Sequence, residues 1–209
     1  MTETLEFLKT LTNPESIIKF GLPLLLFVIF AETGLLIGFF LPGDSLVFIS
    51  GLICATNPLT LHVNIYELIL LMSLAGVIGN TFGYFFGKKL GEGLYKRPDS
   101  FFFKKSRLEA TRVFYERHGG KTLFIGRFLP IIRTFAPILA GVIKVDFKKF
   151  MLYNISGALC WIGSVAGIGY FLGAEFPQTK NYLGYIVIGL IVITSIPVLI
   201  SYFNERKPK

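Results

Sequence analysis

Two arginines and two acids stand in strongly apolar parts of this 209-residue chain, and their types define the chemistry on offer. Arg127 and Arg133 are six residues apart with Pro130 between them. On a continuous helix that spacing turns two side chains about 240° from one another. A break at Pro130 would let both converge. Paired guanidinium forks suit a phosphate, because they offer directed donors and a permanent charge. Glu32 and Asp44 are the acids of an earlier apolar stretch. Carboxylates in a low-dielectric cavity near arginines can exchange protons as access alternates, the usual physical basis of proton coupling. Each group also has a structural alternative. The arginines could simply pair with Glu32 and Asp44 and lock two segments together. Asp44 could be a helix cap, since Pro42-Gly43-Asp44-Ser45 is also a good turn before a helix start.

Catalysis finds little support. The two histidines, His62 and His118, fall in a loop and in a basic linker, on predicted opposite sides of a membrane. No Ser-His pair has a nucleophile's sequence context, and no His/Cys/Asp cluster has metal-ligand spacing. The chain is expected to be a non-enzyme that needs no cofactor or metal. Cys54 and Cys160 give no disulfide framework and are expected to be free thiols.

The elements that position these residues are membrane elements. The chain is 53% hydrophobic and 16% charged, with its apolar residues in long runs. Phe150 to Gly173 and Tyr182 to Phe203 carry no charge and exceed the roughly 20 residues that cross a hydrocarbon core. A third run, Ile65 to Gly87, carries only Glu67, near its end. All three are predicted transmembrane helices. The face of the third with Gly76, Gly79, Asn80 and Gly83 is expected to pack closely, with Asn80 as an interhelical hydrogen bond. Trp161 and the tyrosines near span ends are expected to be interface anchors or packing. A further helix is predicted from the Asn13-Pro14-Glu15 start to about Phe30, punctuated by Gly21 and Pro23. The run Leu22 to Ala31 resembles a signal-peptide core, but Pro23 and Glu32 argue for its retention.

An internal repeat organises the rest. Ile37-Gly38-Phe39-Phe40-Leu41-Pro42 reappears 88 residues later as Ile125-Gly126-Arg127-Phe128-Leu129-Pro130. Each copy is followed by a shared pentapeptide, Gly83-Tyr84-Phe85-Phe86-Gly87 and then Gly169-Tyr170-Phe171-Leu172-Gly173. Two matches in one order point to a duplication. In the first copy, Ala31 to Ile53 reads as two half-length helices joined at Pro42-Gly43, each reaching about 15 Å deep. In the second, Thr122 to Ile143 contains Arg127, Pro130, Arg133 and Pro137. As an ordinary lipid-facing helix it would put two guanidinium groups in hydrocarbon, at ~2.5–3.5 kcal/mol each. Broken helix at membrane depth is tolerated where it is buried in protein or lines a wet cavity. Both copies are therefore predicted re-entrant hairpins, broken at Pro42, Gly43, Pro130 and Pro137.

The loops give the orientation. Cys54 to Tyr66, which closes the first hairpin, has no Lys or Arg, whereas Lys144 to Lys149 after the second has three lysines. The positive-inside rule then inverts the copies with respect to each other. Ten Lys and Arg between Lys88 and Lys121, with Arg206, Lys207 and Lys209, put the linker 88–121 and the C-terminus on the cytoplasmic side. The net charge of +8 is thus assigned to lipid headgroups rather than to nucleic acid. The predicted fold is all-α in one membrane domain. Repeat 1 covers about 14–91, a basic interfacial helix about 99–118, repeat 2 about 119–173, and an additional transmembrane helix 182–203.

Phe30-Ala31-Glu32, Leu41-Pro42-Gly43-Asp44-Ser45 and the run from Gly126 through Arg133, Pro137 and Ala140-Gly141 together resemble the DedA family, within the SNARE-associated Golgi or VTT-domain group. The likeness covers roughly Phe20 to Gly173. It implies facing re-entrant hairpins and lipid transport across a bacterial inner membrane, with undecaprenyl phosphate, phosphatidylethanolamine and the proton motive force among the family's associations. It carries an acidic pair onto Glu32 and Asp44 and an arginine pair onto Arg127 and Arg133. Asn80 departs from it, because many members have aspartate there in a Gly-Asp-x-x-Gly-Tyr pattern. The expected partners are membrane lipids, a phosphate-bearing lipid substrate and protons. The alternatives are an energy-independent phospholipid scramblase, and a proton-coupled ion or osmolyte antiporter or envelope scaffold. The oligomeric state is left open.

Overall fold

A computed structural model describes residues 17–18, 20–35, 43–95, 113, 115, 120–176 and 189. Within them the chain is helical, with no strand among the described residues. In chain order come α1 (Leu22–Gly34), α2 (Gly43–Thr56), a short 3-10 turn at Pro58–Thr60, α3 (Ile65–Tyr95), α4 (Lys121–Gly126), α5 (Pro130–Val142) and α6 (Phe147–Glu175). The predicted break at Pro42, the first hexapeptide, the Asn13-Pro14-Glu15 helix start, nearly all of the basic helix at 99–118 and the additional span at 182–203 lie outside the described residues.

Length separates the helices into two kinds. α3 has 31 residues and α6 has 29, so each is over 40 Å long at ~1.5 Å per residue and exceeds a ~30 Å hydrocarbon core. α1, α2 and α5 have 13, 14 and 13 residues, about 20 Å each, and fall short of it. The outer faces of the long helices are apolar. α3 exposes Leu70, Leu74, Ile78, Phe82 and Phe85, and α6 exposes Leu152, Ile155, Leu159, Ile168 and Phe171. An apolar stripe of that length on an outward face is what a lipid solvent selects. The chain is a membrane protein by this measure.

Helix starts follow local chemistry. α1 begins after Gly21, whose φ of 87° is a conformation that glycine adopts without a Cβ clash. The expected helix from Asn13 to about Phe30 is therefore corrected. Gly21 ends one segment, Pro23 opens the next in the first turn where its missing N–H costs nothing, and α1 then runs on to Gly34. α6 is capped by Asp146, whose carboxylate accepts from the Lys149 N–H at 3.0 Å.

Packing pairs the helices by exchange. α1 packs on α3 and α4 on α6, each short helix beside the next long one. α2 instead packs on α6 and α5 on α3, neither on the long helix that follows it in the chain. The repeated pentapeptides make these crossed contacts. A Cβ at Gly87 would lie 2.0 Å from the Ile138 carbonyl oxygen, and one at Gly173 would lie 2.7 Å from that of Leu52. Backbones that touch through glycine gain dispersion contacts without relying on hydrophobic burial, which lipid does not supply between helices.

The second predicted break is half corrected. α4 ends at Gly126 in tight turns, Leu129 is extended at φ −110° and ψ 114°, and Pro130 opens α5. Pro137, by contrast, breaks nothing: it lies inside α5, which continues to Val142. The proline removes the helical donor for the Arg133 carbonyl, but its ring is buried in protein against Gly83 of α3 rather than exposed to lipid.

Candidate functional site

The break at Phe128–Leu129 sends the two arginines to different neighbours inside the same small space. Both are buried, at 3% exposure each. Arg133, one turn into α5, reaches across to the acids of α1 and α2. Its Nη1 donates to Asp44 Oδ1 at 2.6 Å, and its Nη2 donates to Glu32 Oε1. Glu32 sits in the last turn of α1 and Asp44 in the first turn of α2, so the two acids flank the connection between those helices. Gly43 is where that approach needs a glycine, because a Cβ there would overlap the Glu32 carboxylate. The structure thus brings Glu32, Asp44 and Arg133 together, and the interlocking alternative describes Arg133 well.

Trp161 completes this cluster. Its ring lies 4.1 Å from the Arg133 guanidinium carbon, and its Nε1–H donates to Asp44 Oδ1 at 2.9 Å. It is fully buried in α6. Of the two expected roles, interface anchor or packing, burial excludes the first, and the indole supplies both a π face for the cation and a donor for the acid. Trp161→Phe keeps the face and removes the donor. The expected loss is about 1.5 kcal/mol of stability, at the low end for a hydrogen bond to a charged group because Asp44 is partly exposed. Chemical unfolding in detergent micelles checks it.

Arg127 is held by uncharged groups. Its Nη1 donates to the Asn154 carbonyl at 2.7 Å and to Asn154 Oδ1 at 2.8 Å. The Asn80 amide lies on its other side. With its oxygen toward the guanidinium, Asn80 accepts from both terminal nitrogens at 3.1 Å, and its nitrogen donates to the Thr33 carbonyl at 3.0 Å. The opposite orientation instead donates to Asn154 Oδ1 at 3.0 Å, but sets the amide nitrogen against the guanidinium donors. Amide orientation is set by the network, and the first satisfies the guanidinium and the Thr33 carbonyl while placing the Asn80 oxygen 3.0 Å from Asn154 Oδ1, two acceptors that share the Arg127 Nη1 donor. Among the described residues no carboxylate pairs with Arg127. Room for it is made by Gly76 of α3 and Gly157 of α6, whose missing side chains would meet Arg127 Nη2 at 3.5 Å and Cδ at 3.1 Å.

A small cavity, sized for about one water molecule, lies between the arginines and is lined by Asn80, Arg127, Arg133 and Asn154 with Leu123 and Phe150. Arg127 Nε, Arg133 Nε and Glu32 Oε2 have no hydrogen-bond partner among the described residues. Two donors and an acid oxygen therefore retain unused bonding capacity in the buried interior.

Asn154 is the functional candidate that sequence reasoning missed. It stands in a charge-free span, where a buried amide must find partners, and that was the available signal. Asn80 bonds across helices as expected. Cys54 and Cys160 are free thiols.

The chain matches the family model of the VTT domain over residues 41–171, more than half of its length. It is 38% identical over 184 residues to protein DedA of Escherichia coli K12, covering 88% of this chain and 83% of that one. It is 36% identical over 183 residues to an uncharacterized membrane protein of Mycobacterium leprae (88% and 80% covered). A Synechocystis membrane protein, also uncharacterized, is 30% identical over 170 residues (80% and 74% covered). No solved structure matches the chain significantly. On the matching domain and this identity along most of both chains, the protein belongs to the DedA family of VTT-domain membrane proteins.

Proposed function

We propose that this protein is a transporter that moves a phosphate-bearing lipid, in the first instance undecaprenyl phosphate, across the bacterial inner membrane. The observation that carries the reading is a buried guanidinium pair, one paired with two acids and one with no carboxylate among the described residues, beside a cavity with unused donors. A permanent cation without a counterion is costly at membrane depth and is retained where a ligand anion meets it. Phosphate suits the geometry better than carboxylate because it has oxygens enough for both forks.

In this reading α1–α2 and α4–α5 are re-entrant hairpins, and each hairpin with its long helix is one half of an inverted repeat. The crossed packing supports this, since equivalent helices make equivalent contacts with the opposite half. Charge conservation then gives a mechanism. Arg127, Arg133, Glu32 and Asp44 are two cations and two acids, a sum of zero when all are ionised. A phosphate that engages Arg133 must displace Glu32 and Asp44, and each displaced carboxylate in low dielectric takes a proton rather than stay charged. Substrate entry and proton uptake are thereby coupled. The linker 88–121 and the C-terminus are cytoplasmic in this arrangement.

Identification of co-extracted lipid by native mass spectrometry tests the specificity. Polyprenyl phosphate retained by the wild type and lost in Arg127→Ala is the expected result. Equal retention of neutral and phosphate-bearing lipids would contradict it. An energy-independent scramblase is separated by an imposed pH gradient: coupled transport changes its rate and direction with the gradient, and a scramblase ignores it.

A further inference from the structure

Arg127 and Arg133 are the same residue type in one cavity, yet the charges around them differ completely. Arg133 faces Glu32 from α1 and Asp44 from α2. Arg127 faces Asn80 from α3 and Asn154 from α6, with Arg133 as the nearest charged group on α5. Glu32, Arg127 and Arg133 are the buried charged residues among those described, with Asp44 partly exposed beside them. Asn80 is the telling position. Its oxygen lies 3.1 Å from both Nη atoms of Arg127, within a few tenths of an ångström of the ~2.7–2.9 Å at which a carboxylate oxygen would sit. An amide differs from a carboxylate there by one atom and one full charge.

We propose that Asn80 keeps Arg127 free of an internal counterion and so sets how many protons accompany the bound anion. The inference rests on the phosphate-lipid reading and deepens it. An anion arriving at Arg127 displaces only amide and carbonyl dipoles, so its first negative charge enters without a proton. Its second charge requires Arg133, and protons are taken up only as Glu32 and Asp44 let go. The arginines thus have separate tasks: Arg127 captures, and Arg133 couples capture to the acids. The amides serve as reversible placeholders, since leaving a cation is less costly for a dipole than for a carboxylate.

Asn80→Asp tests this with the purified full-length protein in detergent, using a fluorescent short-chain polyprenyl phosphate as the probe. The variant gives Arg127 its own carboxylate. Three results are expected together: thermal stability of the empty protein at or above wild type, probe affinity at pH 7.5 at least tenfold weaker, and a plot of log Kd against pH steeper by one proton. Asn80→Ser guards against misfolding. It leaves Arg127 without a counterion, and it is expected to keep the wild-type pH slope whatever its affinity. An Asn80→Asp protein that is folded and binds with wild-type affinity and slope would overturn the proposal. So would an Asn80→Ser slope shifted by a whole proton. A wild type that does not bind the probe at all would instead sink the phosphate-lipid reading itself, which separates the two failures.

Discussion

Arg133→Met is expected to destabilise the protein by about 3–5 kcal/mol, because it leaves two carboxylates in the interior with no cation between them. Methionine keeps the apolar stem but ends level with Arg133 Nε, so the loss combines the charge with the guanidinium's contact on Trp161. The prediction has an internal check. Adding Glu32→Gln and Asp44→Asn removes the orphaned charges, and the triple variant should regain more than half of the lost stability. Apolar or neutral replacement of a whole buried ion cluster is often close to neutral, whereas removal of one member is not. Unfolding curves of the wild type, Arg133→Met and the triple variant in one detergent give the comparison. A triple variant no more stable than Arg133→Met would mean that the cluster is held by something other than its charges. Under the proposed mechanism function should not return with stability, since the triple variant lacks the cation and both acids that the mechanism uses.

Gly87→Ala is the second large effect, and it acts through the fold. The new methyl would lie 2.0 Å from the Ile138 carbonyl oxygen, a backbone atom that cannot rotate away. α3 and α5 must separate, at a cost of about 1–3 kcal/mol, the range for overpacking. α5 carries Arg133, so the separation also draws the guanidinium from its acids. Gly173→Ala, with its methyl 2.7 Å from the Leu52 carbonyl oxygen, should act in the same direction on the α2–α6 pair and move Asp44 instead. Gly167→Ala is the control, because nothing lies within 4 Å of its added methyl, and it should be neutral or slightly stabilising. Thermal unfolding of the three variants, followed in one detergent, ranks them. Equal behaviour of Gly87→Ala and Gly167→Ala would contradict the crossed packing.

Much of the site was legible because charge at membrane depth is expensive. Glu32, Asp44, Arg127 and Arg133 stood out against apolar surroundings, and no fold-level information was needed to expect that they meet. The two long helices were legible by length alone. Less was readable where the decisive fact is local geometry. Pro137 looks like a break in the sequence, but a proline tolerates a helix interior when its ring is packed against a glycine-bearing neighbour, and Gly83 is 54 residues away in the chain. Trp161 was expected as an interface anchor or as packing; it packs, and nothing in its sequence neighbours announces the bond to Asp44. Asn154 was passed over because a lone amide in a span resembles ordinary interhelical packing. Its role depends on where Arg127 points, and the break at Phe128–Leu129 decides that. The sequence also showed the arginines as a pair, while the structure shows two arginines with different surroundings.

The central claim is that this buried guanidinium pair carries a phosphate-bearing lipid across the membrane, and transport in a defined bilayer tests it most directly. The protein is reconstituted into vesicles with a labelled polyprenyl phosphate, and appearance of the label on the far leaflet is followed with time. The account predicts rapid translocation by the wild type and, in Arg127→Ala vesicles, a rate at least tenfold slower with the protein still folded. Translocation by Arg127→Ala at the wild-type rate would contradict it.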